Sequence, residues 1–274
     1  KASLSYMTPS IETLYSGYIL TSYRQLSAYD VAGLYEGYAQ YCSLAYNYRN
    51  ILSMSFAGVD LSYSRQSPDV LYGSCYDGIV QRTISRRTSE IGNMLSAKVH
   101  ASQGFDWRRL KTGASVSYSR YDNPLLVQDE ILRYTGNSLA IEADISLTPF
   151  PWLSMSYQGN YSQSATRQKG LECFPWLRTV TNRGSLDFTI PGGVTLTTSL
   201  YHYYNNFNDG DKSFLLLNAE AGYSFRRFSF TLSCDNLLNR KSYIYSDLSA
   251  LTESKSLYNI RPRSVLLKIR FRIL

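Results

Sequence analysis

Two histidines, four cysteines and a set of aromatic residues between polar stretches are the parts of this 274-residue chain whose types could do chemistry. His202 lies in the run Ser199-Leu200-Tyr201-His202-Tyr203-Tyr204-Asn205. A Ser-His-Asn set supports nucleophilic catalysis when the base can reach the hydroxyl. On an extended strand Ser199 and Asn205 point away from the face that carries His202, so the three cannot converge from that strand. A histidine flanked by tyrosines reads instead as an interface residue, and no catalytic residue is expected. Cys42, Cys75, Cys173 and Cys234 show no C-x-x-C spacing, which leaves zinc and thioredoxin-like chemistry without support. Cys75 and Cys173 fall in expected loops and could pair, although small buried or exposed thiols are the preferred reading. Neither a metal nor any other cofactor is expected. Tyr72, Tyr76, Phe174 and Trp176, also in expected loops, could stack on a sugar or a planar chelate. They serve equally as interface anchors, the reading we prefer.

The elements that must position these residues follow from a period of two. The closing stretch Arg261–Leu274 sets Val265, Leu267, Ile269, Phe271 and Ile273 on one parity and Ser264, Lys268, Arg270 and Arg272 on the other, with Leu266 and Leu274 as apolar exceptions. A helix would scatter those cations and leave no apolar stripe, so this is a strand whose faces meet two different surroundings. The same alternation recurs along the chain. Leu139, Ile141, Ala143, Ile145 and Leu147 alternate with Ser138, Glu142, Asp144 and Ser146; Leu215, Leu217, Ala219 and Ala221 alternate with Asn218 and Glu220. Roughly twelve or thirteen strands of about 10 to 15 residues are expected, joined as antiparallel hairpins, with no helix beyond about two turns.

The connections alternate in length. Those at Arg49, Asp106, Thr148, Pro191 and Arg226 read as tight, and those near Gln66 (to Thr88), Asp122, Arg167 and Leu238 as longer. Short turns at one end and long loops at the other belong to transmembrane barrels. Composition agrees. Charged residues make up 18% of the chain and apolar ones 44%, and tyrosine occurs 25 times, a residue suited to strands and to membrane interfaces. No apolar run approaches the length of a spanning helix, which does not exclude a barrel. The polar parities carry Lys98, Glu142, Asp144, Asp187, Glu220, Asp235, Lys268 and Arg270, expected as charges of a wet lumen. Pairing from the tight-turn end is expected to bring Asp235 beside Lys268 and Glu220 beside Ser233. On the last strand the apolar stripe counts back from Ile273, leaving Leu274 as a tail. The net charge of +7 suggests nucleic acid at first sight, but the basic residues form no helix or stripe, and no nucleic-acid partner is expected. The chain begins at Lys1 without an initiator Met or signal peptide, so it is expected to be mature or a piece of a longer protein.

The stretch Asn236-Leu237-Leu238-Asn239, then Tyr243, then Arg261-Pro262-Arg263 leading into a basic alternating strand resembles the C-terminus of TonB-dependent outer-membrane receptors. The tyrosine- and serine-rich strands are most similar to members from the Bacteroidetes. The resemblance implies a 22-stranded barrel with an N-terminal plug. Residues 1–274 would then be the C-terminal part of that barrel, without plug or energy-coupling segment. It implies nutrient uptake in the bacterial outer membrane. The implied partners are outer-membrane lipid, the remaining strands and plug on the same or a second chain, the TonB complex through the plug, and a surface lipoprotein. The chain departs from the pattern by ending on Leu274 rather than on an aromatic residue in phase with the stripe. Two other classes stay open from the residues themselves: a soluble β-rich binding module of lectin type, which would have to pack its apolar stripes sheet on sheet, and an outer-membrane barrel enzyme.

Overall fold

Strands that alternate apolar and hydroxyl-bearing residues leave their backbone donors and acceptors only lateral partners, and the fold is what such pairing produces. The computed structural model describes residues 1–7, 18–22, 25–28, 36–77, 80–170, 175–208, 211–248 and 253–271. Its strands are β1 (Ala2–Met7), β2 (Tyr18–Ser22), β3 (Gln25–Ala28), β4 (Gly37–Asn50), β5 (Ser55–Ser67), β6 (Val70–Asp77), β7 (Val80–Arg87), β8 (Gly92–Phe105) and β9 (Leu110–Val127). They continue as β10 (Glu130–Phe150), β11 (Leu153–Gln168), β12 (Leu177–Ile190), β13 (Val194–Asn205), β14 (Ser213–Phe225), β15 (Phe228–Asp235), β16 (Ser242–Leu248), β17 (Glu253–Asn259) and β18 (Ser264–Phe271). The protein is all-β, and the one helical element among the described residues is a single 3-10 turn at Trp107–Arg109.

The main path runs β1-β4-β5-β8-β9-β10-β11-β12-β13-β14-β15-β18, every step antiparallel. Among the described residues the sheet is not closed: β1 pairs only with β4, and β18 only with β15. A row starting at Asn50 and Ser55, beside the first tight turn, passes through Gln103, Thr112, Ile145, Tyr157, Gly184, Leu200 and Leu217. The turn ends fall progressively below that row, at Phe105, Phe150, Ile190 and finally Phe225. Such a steady stagger belongs to strands tilted against the axis of a curling sheet.

Four expectations need correction. The long loop from Gln66 to Thr88 is a hairpin, β6–β7, and the segment near Leu238 holds a second one, β16–β17, which forms a separate two-stranded sheet. The connection near Asp122 is tight: β9 runs on to Val127 and the chain reverses at Gln128 and Asp129, both at positive φ (49° and 65°), the backbone of a turn matched to strand twist. Nor is pairing wholly antiparallel. β3 runs parallel to β7, and β6 runs parallel to β9 at Gly73↔Leu126 and Ser74↔Val127. That last contact needs glycine, because a Cβ on Gly73 would overlap the Leu126 carbonyl. Finally, Asp235 does not meet Lys268. Phe228 pairs with Phe271, their rings 4.9 Å apart, so Asp235 faces Ser264 and Lys268 faces Thr231. The aromatic pair at the turn end sets this register, whereas the expected one counts from the chain terminus. Glu220 does pair with Ser233. The expected strand over Glu12 to Tyr23 falls mostly outside the described residues.

Little of the apolar surface is buried. Among the described residues the buried hydrophobic side chains are Val70, Leu126, Tyr134, Ala165, Leu177, Tyr203 and Phe214, all toward the loop end, while Leu44, Val99, Val265 and Ile269 are 67%, 51%, 65% and 59% exposed. The chain exposes 18558 Å². A compact soluble monomer of 31.2 kDa exposes only about 12000 Å².

The polar face is packed locally instead. Tyr121 lies across Gly136, where a Cβ would sit inside the phenol ring, and its hydroxyl reaches Thr166 Oγ1 at 3.3 Å. Gly136→Ala is expected to displace the ring and cost about 1–3 kcal/mol in urea unfolding. Combined with Tyr121→Ala, it should cost clearly less than the two single losses added together. Strict additivity would mean that the ring is not what excludes a side chain there.

Candidate functional site

Because each register pair keeps parity, the two faces can be followed from strand to strand. The polar face gathers Lys98, Glu142, Asp144, Asp187, Glu220, Asp235, Lys268 and Arg270 on one side of the sheet. Its centre is a row of hydroxyls, Ser43-Ser62-Ser96-Ser119-Ser138-Ser164, across β4 to β11. Ser119 and Ser138 hydroxyls are 2.7 Å apart. The charges are spread across strands, and three of the carboxylates have partners on the same face. Asp60 is opposite Lys98 and lies 3.8 Å from His100 Nδ1. Glu142 accepts from Ser115 Oγ and Asn160 Nδ2, both at 3.2 Å, and Asp187 accepts from Thr197 Oγ1 at 2.8 Å.

A recess of about 670 Å³ opens over β10 to β14, with Asp144, Gln158, Arg183, Ser199, Tyr201 and Asn218 on its polar side. The Arg183 guanidinium lies over the Tyr201 ring, 5.4 Å from its centre. One carboxylate, one stacked guanidinium, two amides and an aromatic face can hydrogen-bond and stack on a hydroxyl-rich solute. Among the described residues no group of His, Cys, Asp or Glu is placed to hold a metal.

Beyond this recess, toward the loop end, the β16–β17 hairpin folds over the polar face. Tyr203 and Phe214 are polar-face residues, and both are buried, 5% and 7% exposed, against rings of the hairpin: Tyr245 at 6.2 Å and Tyr243 at 5.1 Å. Burial, with Tyr258 and then Tyr201 adding, holds the Tyr243 hydroxyl above the usual tyrosine range. Buried asparagines fasten the hairpin. Asn205 Nδ2 donates to the Ser246 carbonyl at 3.0 Å, Ser246 Oγ donates to Asn208 Oδ1 at 2.7 Å, and Asn208 Nδ2 donates to the Ile244 carbonyl at 2.9 Å. At the base, Asn236 and Asn239 sit at φ 54° and 52°, a region asparagine tolerates. Asn236 Nδ2 donates to the Arg240 and Arg261 carbonyls at 2.7 and 3.0 Å, and Asn239 Oδ1 accepts from the Arg263 amide at 3.1 Å. The Asn-Leu-Leu-Asn and Arg-Pro-Arg stretches, far apart in sequence, are therefore one hydrogen-bonded joint.

The opposite face is apolar and is framed by aromatic rings. At the turn end stand Phe105, Trp107, Phe150, Trp152, Phe225, Phe228 and Phe271. Arg108 lies over Trp107 at 4.7 Å and over Phe150 at 5.6 Å, and Arg226 over Phe225 at 5.2 Å. Toward the loops stand Tyr63, Tyr118 and Tyr161, whose hydroxyls donate to Asn93, Asn137 and Gln163, and nearer the turn end the Tyr157 hydroxyl donates to Asn182. Val265, Leu267, Ile269 and Phe271 of the last strand are on this face; Ile273, with Arg272 and Leu274, lies outside the described residues.

His202 also lies on the apolar face, between Asn182 Nδ2 at 3.0 Å and Ser213 Oγ at 2.9 Å, with Ser199 and Asn205 on the other side. Tyr72 and Tyr76 are on β6, tied to the β9–β10 turn through Gln128. Trp176 stands before β12, with β10 and β11 between it and β9, and Phe174 lies outside the described residues. Cys42, Cys75 and Cys234 are free thiols, and Cys173 lies outside the described residues.

Sequence reading missed a basic margin. Arg65, Arg120, Arg167 and Arg178 occupy apolar-face parities toward the loop end, each on a different strand, the first two directly past a tyrosine. The available signal was the triplet Tyr-Ser-Arg, present at Tyr63–Arg65 and again at Tyr118–Arg120. No protein-family profile and no curated protein sequence matches the chain.

Asn205→Ala should free the hairpin from the polar face. We expect about 1–3 kcal/mol less protection of the 242–259 amides in hydrogen exchange, with β4 to β12 unchanged. Asn236→Gly, which keeps the backbone but removes the joint, should do the same from the base.

Proposed function

We propose that this chain is the membrane-embedded part of an outer-membrane receptor-transporter, of the kind exemplified by TonB-dependent nutrient-uptake barrels. The observation that carries the reading is the exposed apolar band and its two aromatic margins. On β8 the band runs from Phe105 to Leu95, a path of about 33 Å at strand rise. With strands tilted about 40°, this spans about 25 Å, the height of the lipid-facing band of such barrels. In water the band would keep apolar surface exposed at about 25 cal/mol per Å². A lectin-like module would have to cover it with a second sheet, and the only other sheet among the described residues is the β16–β17 ribbon on the opposite face.

In this reading the serine-rich face, with Lys98, Glu142, Asp144, Glu220, Asp235, Lys268 and Arg270, lines an aqueous lumen. The recess at Asp144, Arg183 and Tyr201 is the first solute contact beneath the loop-end hairpin. The stripe Val265, Leu267, Ile269 and Phe271 is the lipid-facing assembly signal. The free edges of β1 and β18 pair with further strands, and a plug and the TonB complex supply gating and energy. Tyr72, Tyr76 and Trp176 remain weak extracellular ligand candidates. The joint between Asn236–Asn239 and Arg261–Arg263 supports the family likeness, since it gives both stretches a shared role.

Val99→Arg and Ser96→Arg put the same charge on opposite faces of β8. With the chain folded into lipid vesicles, Val99→Arg should cost up to about 2–4 kcal/mol in urea titration and Ser96→Arg less than about 1 kcal/mol. Equal costs, or a chain that stays in the aqueous phase without detergent or lipid, would sink the membrane reading.

A further inference from the structure

The loop-side margin of the apolar face carries a concentration of cations that a lumen, a solute recess or an assembly stripe does not use. Along β5 the residues of that face run Leu61, Tyr63, Arg65, and along β9 they run Val116, Tyr118, Arg120. Arg65 and Arg167 share one cross-strand row through Asn93, Asp122 and Thr135. Arg133 is already engaged, with Glu90 at 3.0 Å, Asp122 at 3.3 Å and the Ile91 carbonyl at 3.0 Å. Arg120, Arg167 and Lys169 have no carboxylate partner among the described residues. Arg167 and Lys169 line, with Thr135, Gly170 and the ion-paired Arg133 and Asp122, a recess of about 420 Å³, in which the Asp122 carboxylate is taken up by Arg133 and leaves the other two cations free of it.

We propose that this margin binds the phosphate groups of an anionic lipid headgroup in the leaflet on the loop side; the proposal rests on the membrane reading above. The order along β5 and β9 points to a lipid, and β11 adds Arg167 farther out, three positions past Tyr161 on the same face. Apolar residues, then a tyrosine with a satisfied hydroxyl, then arginine reproduce the order of acyl chain, interface and charged headgroup. An arginine costs several kcal/mol at mid-membrane but little at its edge, so its place one outward position past the tyrosine is where it can be kept. Guanidinium groups bind phosphate bidentately, and a basic residue near an anionic surface contributes about 1 kcal/mol. A free anion would gain nothing from the apolar band below the site. An amphiphile lays its chains on Leu61 and Val116 while its phosphates reach Arg65, Arg120 and Arg167.

The test uses the full chain folded into phosphatidylcholine vesicles doped with diphosphoryl lipid A or with the same lipid stripped of phosphate. Lipid retained per chain after transfer to detergent is read by native mass spectrometry. The phosphorylated lipid should be retained at least about tenfold more than the stripped one. The triple variant Arg120→Gln/Arg167→Gln/Lys169→Gln should lose that preference. Lys111→Gln, on the polar face at the turn end, should keep it, and excess inorganic phosphate should not displace the lipid. Equal retention of the two lipids, an unchanged triple variant, or displacement by inorganic phosphate overturns the proposal while leaving membrane insertion intact. A chain that never enters the vesicles overturns this proposal and the membrane reading together.

Discussion

Side-chain parity, carried without a break from β1 through β15 to β18, is the constraint on which the rest depends. A period of two has no intermediate setting. If one ladder slipped by one residue, every later strand would exchange its faces, turning Lys268 and Arg270 to the apolar side and Val265, Leu267 and Ile269 to the polar side. Each ladder is held in phase by contacts that tolerate no such slip. On the polar side Tyr121 fits the space left by Gly136, and on the apolar side Tyr118 and Tyr157 reach an amide on the next strand. At the turn end Phe228 meets Phe271. These contacts are spread along the sheet, so parity does not rest on any single pair.

Parity was also the part of the fold legible in sequence. The alternation at Leu139–Leu147 or Leu215–Phe225 is strong because one face is apolar along its whole length, and the strands, their faces and the tight turns follow from it. β6–β7 and β16–β17 were illegible for the opposite reason. Val70–Asp77 and Ser242–Leu248 mix tyrosine, serine and charge with no apolar stripe, since they pack on other parts of the chain only at selected residues. Register is a further quantity that period cannot supply. Parity allows the last strand to shift by an even number of residues, and the choice that puts Asp235 opposite Ser264 is made by rings at the turn end. The basic margin was hidden in a third way. Its members are distant in sequence and come to one margin only through the pairings of β5, β8, β9, β10, β11 and β12.

The two faces solve different problems with little shared material. The apolar face uses large side chains and has almost no charge until its loop-side margin, where tyrosine hydroxyls are satisfied locally by amides of the same face. The polar face uses small hydroxyls, which can bond across strands as Ser119 and Ser138 do, and leaves open space above the sheet. Where that face needs order, it is the loop-end hairpin that provides it. Tyr203, Phe214, Asn205 and Asn208 are polar-face or adjoining residues buried by that hairpin. The sheet thus has its densest packing at the loop end.

That placement bears on passage along the polar face. On the reading proposed above, a solute entering from the loop end would meet the hairpin before the recess at Asp144 and Arg183. The hairpin is held by a few aromatic contacts and by hydrogen bonds from Asn205, Asn208 and Ser246, and by the joint at Asn236. Hydrogen bonds of this kind contribute about 0.5–1.5 kcal/mol each, whereas the ladders of β8 to β13 are far more extensive. Its opening free energy therefore lies well below that of the sheet, so it can leave and return while the strands stay paired. Since its base remains pinned by Asn236 to Arg240 and Arg261, the motion available to it is a swing about that joint. On the transport reading proposed above, the Asn236–Asn239 and Arg261–Arg263 stretches would be the hinge of the hairpin that lies over the loop-end approach to the recess.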